Sequence, residues 1–351
     1  MQIRMSSFVR KEMLHILRDK RTMLVVIVIP LMLILLFGFT VSTDVSNIDV
    51  VVSAPVRSSD VESSVRHLAS SPYITFVGYI DMASIDAMLR SGKASAAVVY
   101  AADYAVTHDV QLVIDGADAN TAATTNAYLQ VIIAGGQPSP FEMHMLYNPQ
   151  MKSSFNFIPG IMGMIFILIC AMMTSISIVK EKENGIMEVL LVSPVRPIYI
   201  VISKMIPYLM LSFIDLIIIL LLAHYAMEVP MTGGVGGIIV VSVVYLVLSL
   251  TLGLMVSNLV QSQIAALLIS AMVMMMPVLF FSGMLFPIDN LPWALRWISY
   301  VVPARWYIDA MRKLMIMGVG LEGVLLELGV LLLETLVLFV ASVMKFNDRL
   351  E

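Results

Sequence analysis

Between Lys152 and Lys180 the chain carries no charged residue, and the stretch between them, SSFNFIPGIMGMIFILICAMMTSISIV, is mostly apolar. At ~1.5 Å per residue a helix of that length outruns the ~30 Å hydrocarbon core of a bilayer. One turn signal, Asn148-Pro149, precedes it, and a second within it, Pro159-Gly160, reads as the head of the apolar helix. Then the polarity reverses. Lys180, Glu181, Lys182, Glu183 and Glu188 crowd one short segment that Ser193-Pro194 closes. A membrane helix that delivers a charged, Gly-containing short helix to one face offers a place to meet a soluble partner.

Composition agrees with a membrane chain. Of 351 residues, 59% are hydrophobic and 13% charged, against about 25% charged in soluble domains. The net charge of −4 gives no basic excess for nucleic acid. The single cysteine, Cys170, excludes an internal disulfide framework and lies mid-span, where inert packing outweighs reactivity. Five scattered histidines show no metal-ligand spacing, and the 29 methionines read mainly as lipid-facing filler. No Walker A, G-x-S-x-G or H-E-x-x-H occurs. Ser91-Gly92-Lys93 is not a P-loop, because position 87 is alanine and Ala94 follows the lysine.

Residues 1–22 read as an amphipathic helix on the membrane surface. Met5, Phe8, Met13, Ile16 and Leu17 recur at helical spacing among Arg4, Arg10, Lys11, Arg18, Lys20 and Arg21. A first span, 23–41, follows. A basic start before an apolar run also fits a signal peptide, but the run exceeds the usual about 7–15 residues and no A-x-A site follows. The basic residues before it place the N-terminus in the cytoplasm.

Residues 42–152 change character. Residues 47–53, 74–80, 96–100 and 110–114 read as strands; 58–70, 82–91 and 120–133 read as helices. The alternation predicts a small mixed-sheet α/β domain, extracytoplasmic because one span separates it from the N-terminus. The remainder, 153–351, holds spans two to six. Lys180–Pro197 is the cytoplasmic loop between spans two and three, and SNLVQSQ at 257–263 is the turn between four and five. Residues 289–313 carry three Trp with Arg296, Arg305, Arg312 and Lys313, and read as an interfacial element. Those four bases fall on the outer side, against the usual charge bias.

Asp215 in span three and Glu327 and Glu334 in span six are intramembrane acids. Their burial in lipid would cost on the order of 2.5–3.5 kcal/mol, so they face protein or water. Two readings stand for them, an ion-linked polar pathway or interhelical hydrogen bonds that hold the bundle.

The pattern E-K-E-x-G-x-x-E-x-L-x-x-S-P, carried by Glu181, Lys182, Glu183, Gly185, Glu188, Ser193 and Pro194, resembles the cytoplasmic coupling segment of bacterial ABC-2 type exporter permeases. Tyr147-Asn148-Pro149, LRSGKASAAVVYAADY at 89–104, VIDGADAN at 113–120 and PWALRWISYVVPARW at 292–306 are similar to other elements of that family. The resemblance covers nearly the whole chain. It implies an α-helical polytopic membrane protein of six transmembrane helices with an inserted extracytoplasmic α/β domain, a coupling helix at 180–197 and a re-entrant segment at 289–313. It also implies a non-enzymatic permease subunit in the bacterial inner membrane with both termini cytoplasmic. No cofactor is expected in this chain, since ATP and Mg would sit on two copies of a separate ABC ATPase. The seven motif residues would couple to that ATPase, and Arg10, Lys11 and Arg18 of the N-terminal helix would contact it or lipid. A second permease, identical or not, completes the pathway, with room for a periplasmic adaptor, and the cargo would be an amphipathic or hydrophobic drug or lipid. Two rivals differ in kind. An ion-coupled secondary transporter would use the three intramembrane acids, though no inverted repeat stands out. A membrane anchor displaying residues 42–152 would need only one span.

Overall fold

The computed structural model describes residues 5–19, 23–40, 48–71, 73–115, 119–135, 147–148, 152–186, 197–288 and 291–347. The chain divides into two compact units, one made of residues 1–42 with 152–351 and the other of residues 43–151.

The first unit is helical. It begins with α1 (Met5–Arg18), then a π-helical turn, Leu24–Val28, leading into α2 (Ile29–Thr40). Pro30 explains the local widening, since its missing N–H breaks the regular ladder. Five long helices follow residue 152: α7 (Ser153–Glu183), α8 (Pro197–Tyr225), α9 (Val235–Leu259), α10 (Gln263–Phe281) and α13 (Leu325–Asn347). Each is long and apolar enough to cross a membrane. The expected first span is shorter than these, with its apolar stretch at Val26–Leu36. Between α10 and α13 lie α11 (Trp293–Tyr300) and α12 (Pro303–Met315), a broken pair where the sequence predicts an interfacial segment. All three tryptophans of the chain, Trp293, Trp297 and Trp306, belong to this pair.

The helix α7 is the hub, packing against α2, α8, α9, α10 and α12. It starts at Ser153, so Pro159 lies inside it rather than at its head. The proline forfeits the bond to the Phe155 carbonyl, a loss that neighbouring helices of a membrane bundle can offset. Close approach of α9 depends on Gly253: a Cβ there would stand 2.4 Å from the carbonyl oxygen of Ala171 and 2.8 Å from Thr174 Cβ. Further along, Tyr245 of α9 stacks on Tyr307 of α12 at 4.1 Å and donates a 2.8 Å hydrogen bond to the Gly163 carbonyl of α7. Three helices meet on these two rings.

The bundle has two chemically distinct ends. At the aromatic end, the bases that break the charge bias are engaged internally. Arg305 donates to Ser299 Oγ at 2.6 Å and lies 4.0 Å over the Tyr300 ring. Arg312 donates to the Gly283 carbonyl at 2.8 Å, Arg296 to that of Leu291 at 3.0 Å, and Lys313 pairs with Glu327 at 2.6 Å. The other end carries the charged block after Val179.

The second unit is a four-stranded sheet flanked by helices. Its elements are β1 (Ile48–Ser53), α3 (Ser59–Ala69), β2 (Ile74–Tyr79), a 3-10 turn (Met82–Ser84), α4 (Ile85–Arg90), β3 (Ala96–Tyr100), α5 (Tyr104–Thr107), β4 (Val110–Ile114) and α6 (Ala119–Gly135). The strand order is β2-β1-β3-β4, with β1 parallel to both neighbours and β3 antiparallel to β4. Crossover helices α3 and α4 make the parallel pairings possible. On one face, Ile48, Val50, Val98 and Leu68 pack with Leu129. Tyr100 Oη bonds to Ser64 Oγ at 2.9 Å, and burial pushes the phenol up to about 12 against the opposing pull of that bond.

Candidate functional site

The block that ends α7 spends its charges one by one on different elements. Glu181 lies 2.7 Å from Lys204 Nζ on α8 and 3.9 Å from Lys11 Nζ on α1. Lys204 also lies 3.8 Å from Glu12 of α1, to which Lys11 donates at 3.1 Å. The side chains of Lys204 and Glu12 are only 4% and 8% exposed, and that of Glu181 13%. Three of the four charges are thus nearly buried, and the exposed Lys11, 57% accessible, closes a network of zero net charge at its rim. Charges this deep cost several kcal/mol each unless paired. The pairing therefore fixes α1 against the bundle.

The next two residues address helix ends. Lys182 donates to the carbonyl of Ser257 in the last turn of α9. Glu183 accepts from the backbone N–H of Gln263, the first residue of α10, at 2.9 Å, and from its side-chain amide as well. A cation at a helix C-terminus and an anion at a helix N-terminus each oppose the local end of the macrodipole and satisfy groups the helix leaves open. Gly185 then ends α7. Its φ of +68° is left-handed, its N–H bonds to the Lys182 carbonyl at 3.1 Å, and Asn184 N–H bonds to that of Lys180. Glu181, Lys182 and Glu183 work as a collar, joining the end of α7 to α1, α8, α9 and α10.

Of the expected coupling residues, Glu181, Lys182, Glu183 and Gly185 thus have intramolecular roles at one place, while Glu188, Ser193 and Pro194 lie outside the described residues. Arg10, Lys11 and Arg18 are exposed on α1, and Lys11 alone of them joins the network. The intramembrane acids are not brought together. Asp215 is 3% exposed on α8, within electrostatic reach of Cys170, whose Sγ lies 3.1 Å from Ser212 Oγ. Glu327 is buried against Lys313 at 2.6 Å. Glu334 is half-buried on α13, within electrostatic reach of Tyr245. Among the described residues no group of His, Cys, Asp and Glu could hold a metal ion.

A long-helix bundle with a small sheet domain inserted after its first apolar helix is the architecture the sequence predicts. The sequence model described as ABC-2 family transporter protein matches residues 20–344. This chain belongs to the ABC-2 transporter family. Among its relatives, the probable multidrug ABC transporter permease YbhS of Escherichia coli (strain K12) is 27% identical over 362 residues, covering 97% of this chain and 96% of that protein. YbhR of the same strain, likewise named a probable multidrug ABC transporter permease, is 27% identical over 350 residues, with 95% of each chain covered. ABC transporter G family member 20 of Dictyostelium discoideum is 31% identical over 175 residues, 50% of this chain and 24% of that protein. No solved structure matches the chain significantly.

Four residues of this transporter's collar escape sequence reading: Glu12, Lys204, Ser257 and Gln263. One signal was present. Lys204 is the only charge between Arg196 and Asp215, a lone cation at the edge of an apolar run that begins at Met205. Such a group needs a buried partner or a water-filled path. Nothing local marks Glu12 among its basic neighbours.

Proposed function

We propose that this chain is the permease subunit of an ABC exporter, driven by a separate ATPase bound at the charged end, and that this end is cytoplasmic. The collar carries the reading. The segment that leaves Gly185 is tied at its root to α1, α8, α9 and α10, so a push on it reaches most of the bundle at once. Two ATPase copies and a second permease complete the assembly, and ATP-driven closure of the ATPase pair displaces the collar and opens an outward path for an amphipathic or hydrophobic cargo. Because Glu181, Lys182 and Glu183 are engaged within the chain, contact with the ATPase falls to the residues beyond Gly185, Glu188 first among them. Pairing of Glu327 with Lys313 supports this reading over an ion-coupled transporter built on the three acids.

Charge reversal tests it. Glu188→Lys is expected to leave insertion unchanged, since a residue outside the bilayer meets no membrane cost. It should weaken co-purification of the ATPase, because facing like charges cost several kcal/mol. A compensating reversal on the ATPase should restore part of the loss. A variant that keeps its ATPase and exports like the parent sinks the assignment.

A further inference from the structure

We propose that a cleft beside the collar binds the anionic head of an amphiphile, with its chain laid along an apolar wall. The cleft encloses about 340 Å³ between α1, α7, α8 and the start of α10. One wall is apolar, formed by Ile16 of α1, Met173 and Ile176 of α7, and Ile186 just beyond it. The rest of the cleft is charged. Lys11, Glu12, Asp19, Lys180 and Glu181 line it, with Tyr208 from α8, whose hydroxyl is engaged by Ser177.

Of the two lysines in the cleft, one has no counterion among the described residues. Glu12 is held by Lys11 and Lys204, and Glu181 by Lys204 and Lys11. Asp19 is engaged as well. Lys180, half-buried, has no ion pair among the described residues. A half-enclosed ammonium without an anion, set beside a hydrocarbon surface, fits a ligand with both parts: a phosphate or carboxylate head for Lys180 and an alkyl chain for Ile16, Met173 and Ile176. A free inorganic anion would use the head alone and leave the apolar wall uncovered. This deepens the export reading, on which it rests, by naming the cargo class and a site where cargo waits on the cytoplasmic side.

The test omits the ATPase, so its failure leaves the coupling assignment standing, and failure of the Glu188 experiment leaves this one standing. Purified full-length transporter in nanodiscs is irradiated with dodecyl phosphate bearing a diazirine at the chain end, and adducts are mapped by mass spectrometry. Adducts are expected on the α1 peptide and on residues 173–186. Lys180→Gln should lower that labelling about tenfold, the range for a hydrogen bond to a charged group. Lys180→Arg, which keeps the charge, should retain most of it and shows that loss is not misfolding. Excess inorganic phosphate should compete poorly, and a trimethylammonium-headed probe should label only at background. The proposal is overturned by labelling spread along the lipid-facing helices and indifferent to Lys180→Gln, by equal labelling with the cationic probe, or by full displacement with inorganic phosphate.

Discussion

Lys204 shows how one side chain can govern an element far from it in sequence. It stands almost fully buried between Glu181 of α7 and Glu12 of α1. Truncating one partner of a buried ion pair typically costs about 3–5 kcal/mol, because the other charge stays buried and unpaired. Glu181→Leu is therefore expected to lower the melting temperature sharply in detergent, while Glu181→Leu with Lys204→Met recovers much of the loss. A double variant no more stable than the single one would show that the pair is not the source of the effect. By contrast, Lys182→Gln and Glu183→Gln keep hydrogen-bonding groups at helix ends and lose only the charge, so each should cost far less than Glu181→Leu. None of these pairings was legible in the sequence. Charges at 12, 181 and 204 belong to three different helices, and which of them meet is decided by packing. Reading the block at 180–183 as a surface for a partner rests on its charge, and the structure adds intramolecular partners for Glu181, Lys182 and Glu183.

Among the elements, legibility followed periodicity. Ala96–Tyr100 and Val110–Ile114 emerge at the boundaries read from their β-branched runs and flanking turns. Charge-free runs likewise located α7, α9 and α10, because a bilayer's thickness demands length and apolarity that a sequence displays openly. The start of α7 was misread, since Pro159 is a turn signal locally and a second-turn helix residue in fact. The seam between α7 and α9 was not legible at all. Gly253 there is one of several glycines in an apolar run, and only the 2.4 Å approach to the Ala171 carbonyl sets it apart. Gly253→Val should force α9 away from α7, with an overpacking cost of about 1–3 kcal/mol. Size-exclusion of a fluorescent fusion should then show a lower melting temperature or loss of the monodisperse peak. A parent-like profile would mean that the seam yields easily.

For the whole molecule, the proposed orientation makes the charged end cytoplasmic and the sheet unit extracytoplasmic. Cys170 is buried and supplies little background, so added thiols can report topology. Val106→Cys, on an exposed turn of the sheet unit, should react with an impermeant maleimide applied to intact cells, and Asn184→Cys should not. The reverse pattern would invert the molecule. The aromatic pair α11–α12 has a consequence of another kind. With all three tryptophans in it and none elsewhere, the tryptophan emission of this chain, excited at wavelengths tyrosine does not absorb, originates at the end opposite the collar. A change in that emission on adding nucleotide and an ATPase stripped of its own tryptophans would have no local source. Its rise time would clock the passage of a signal across the full thickness of the bilayer, with no label attached.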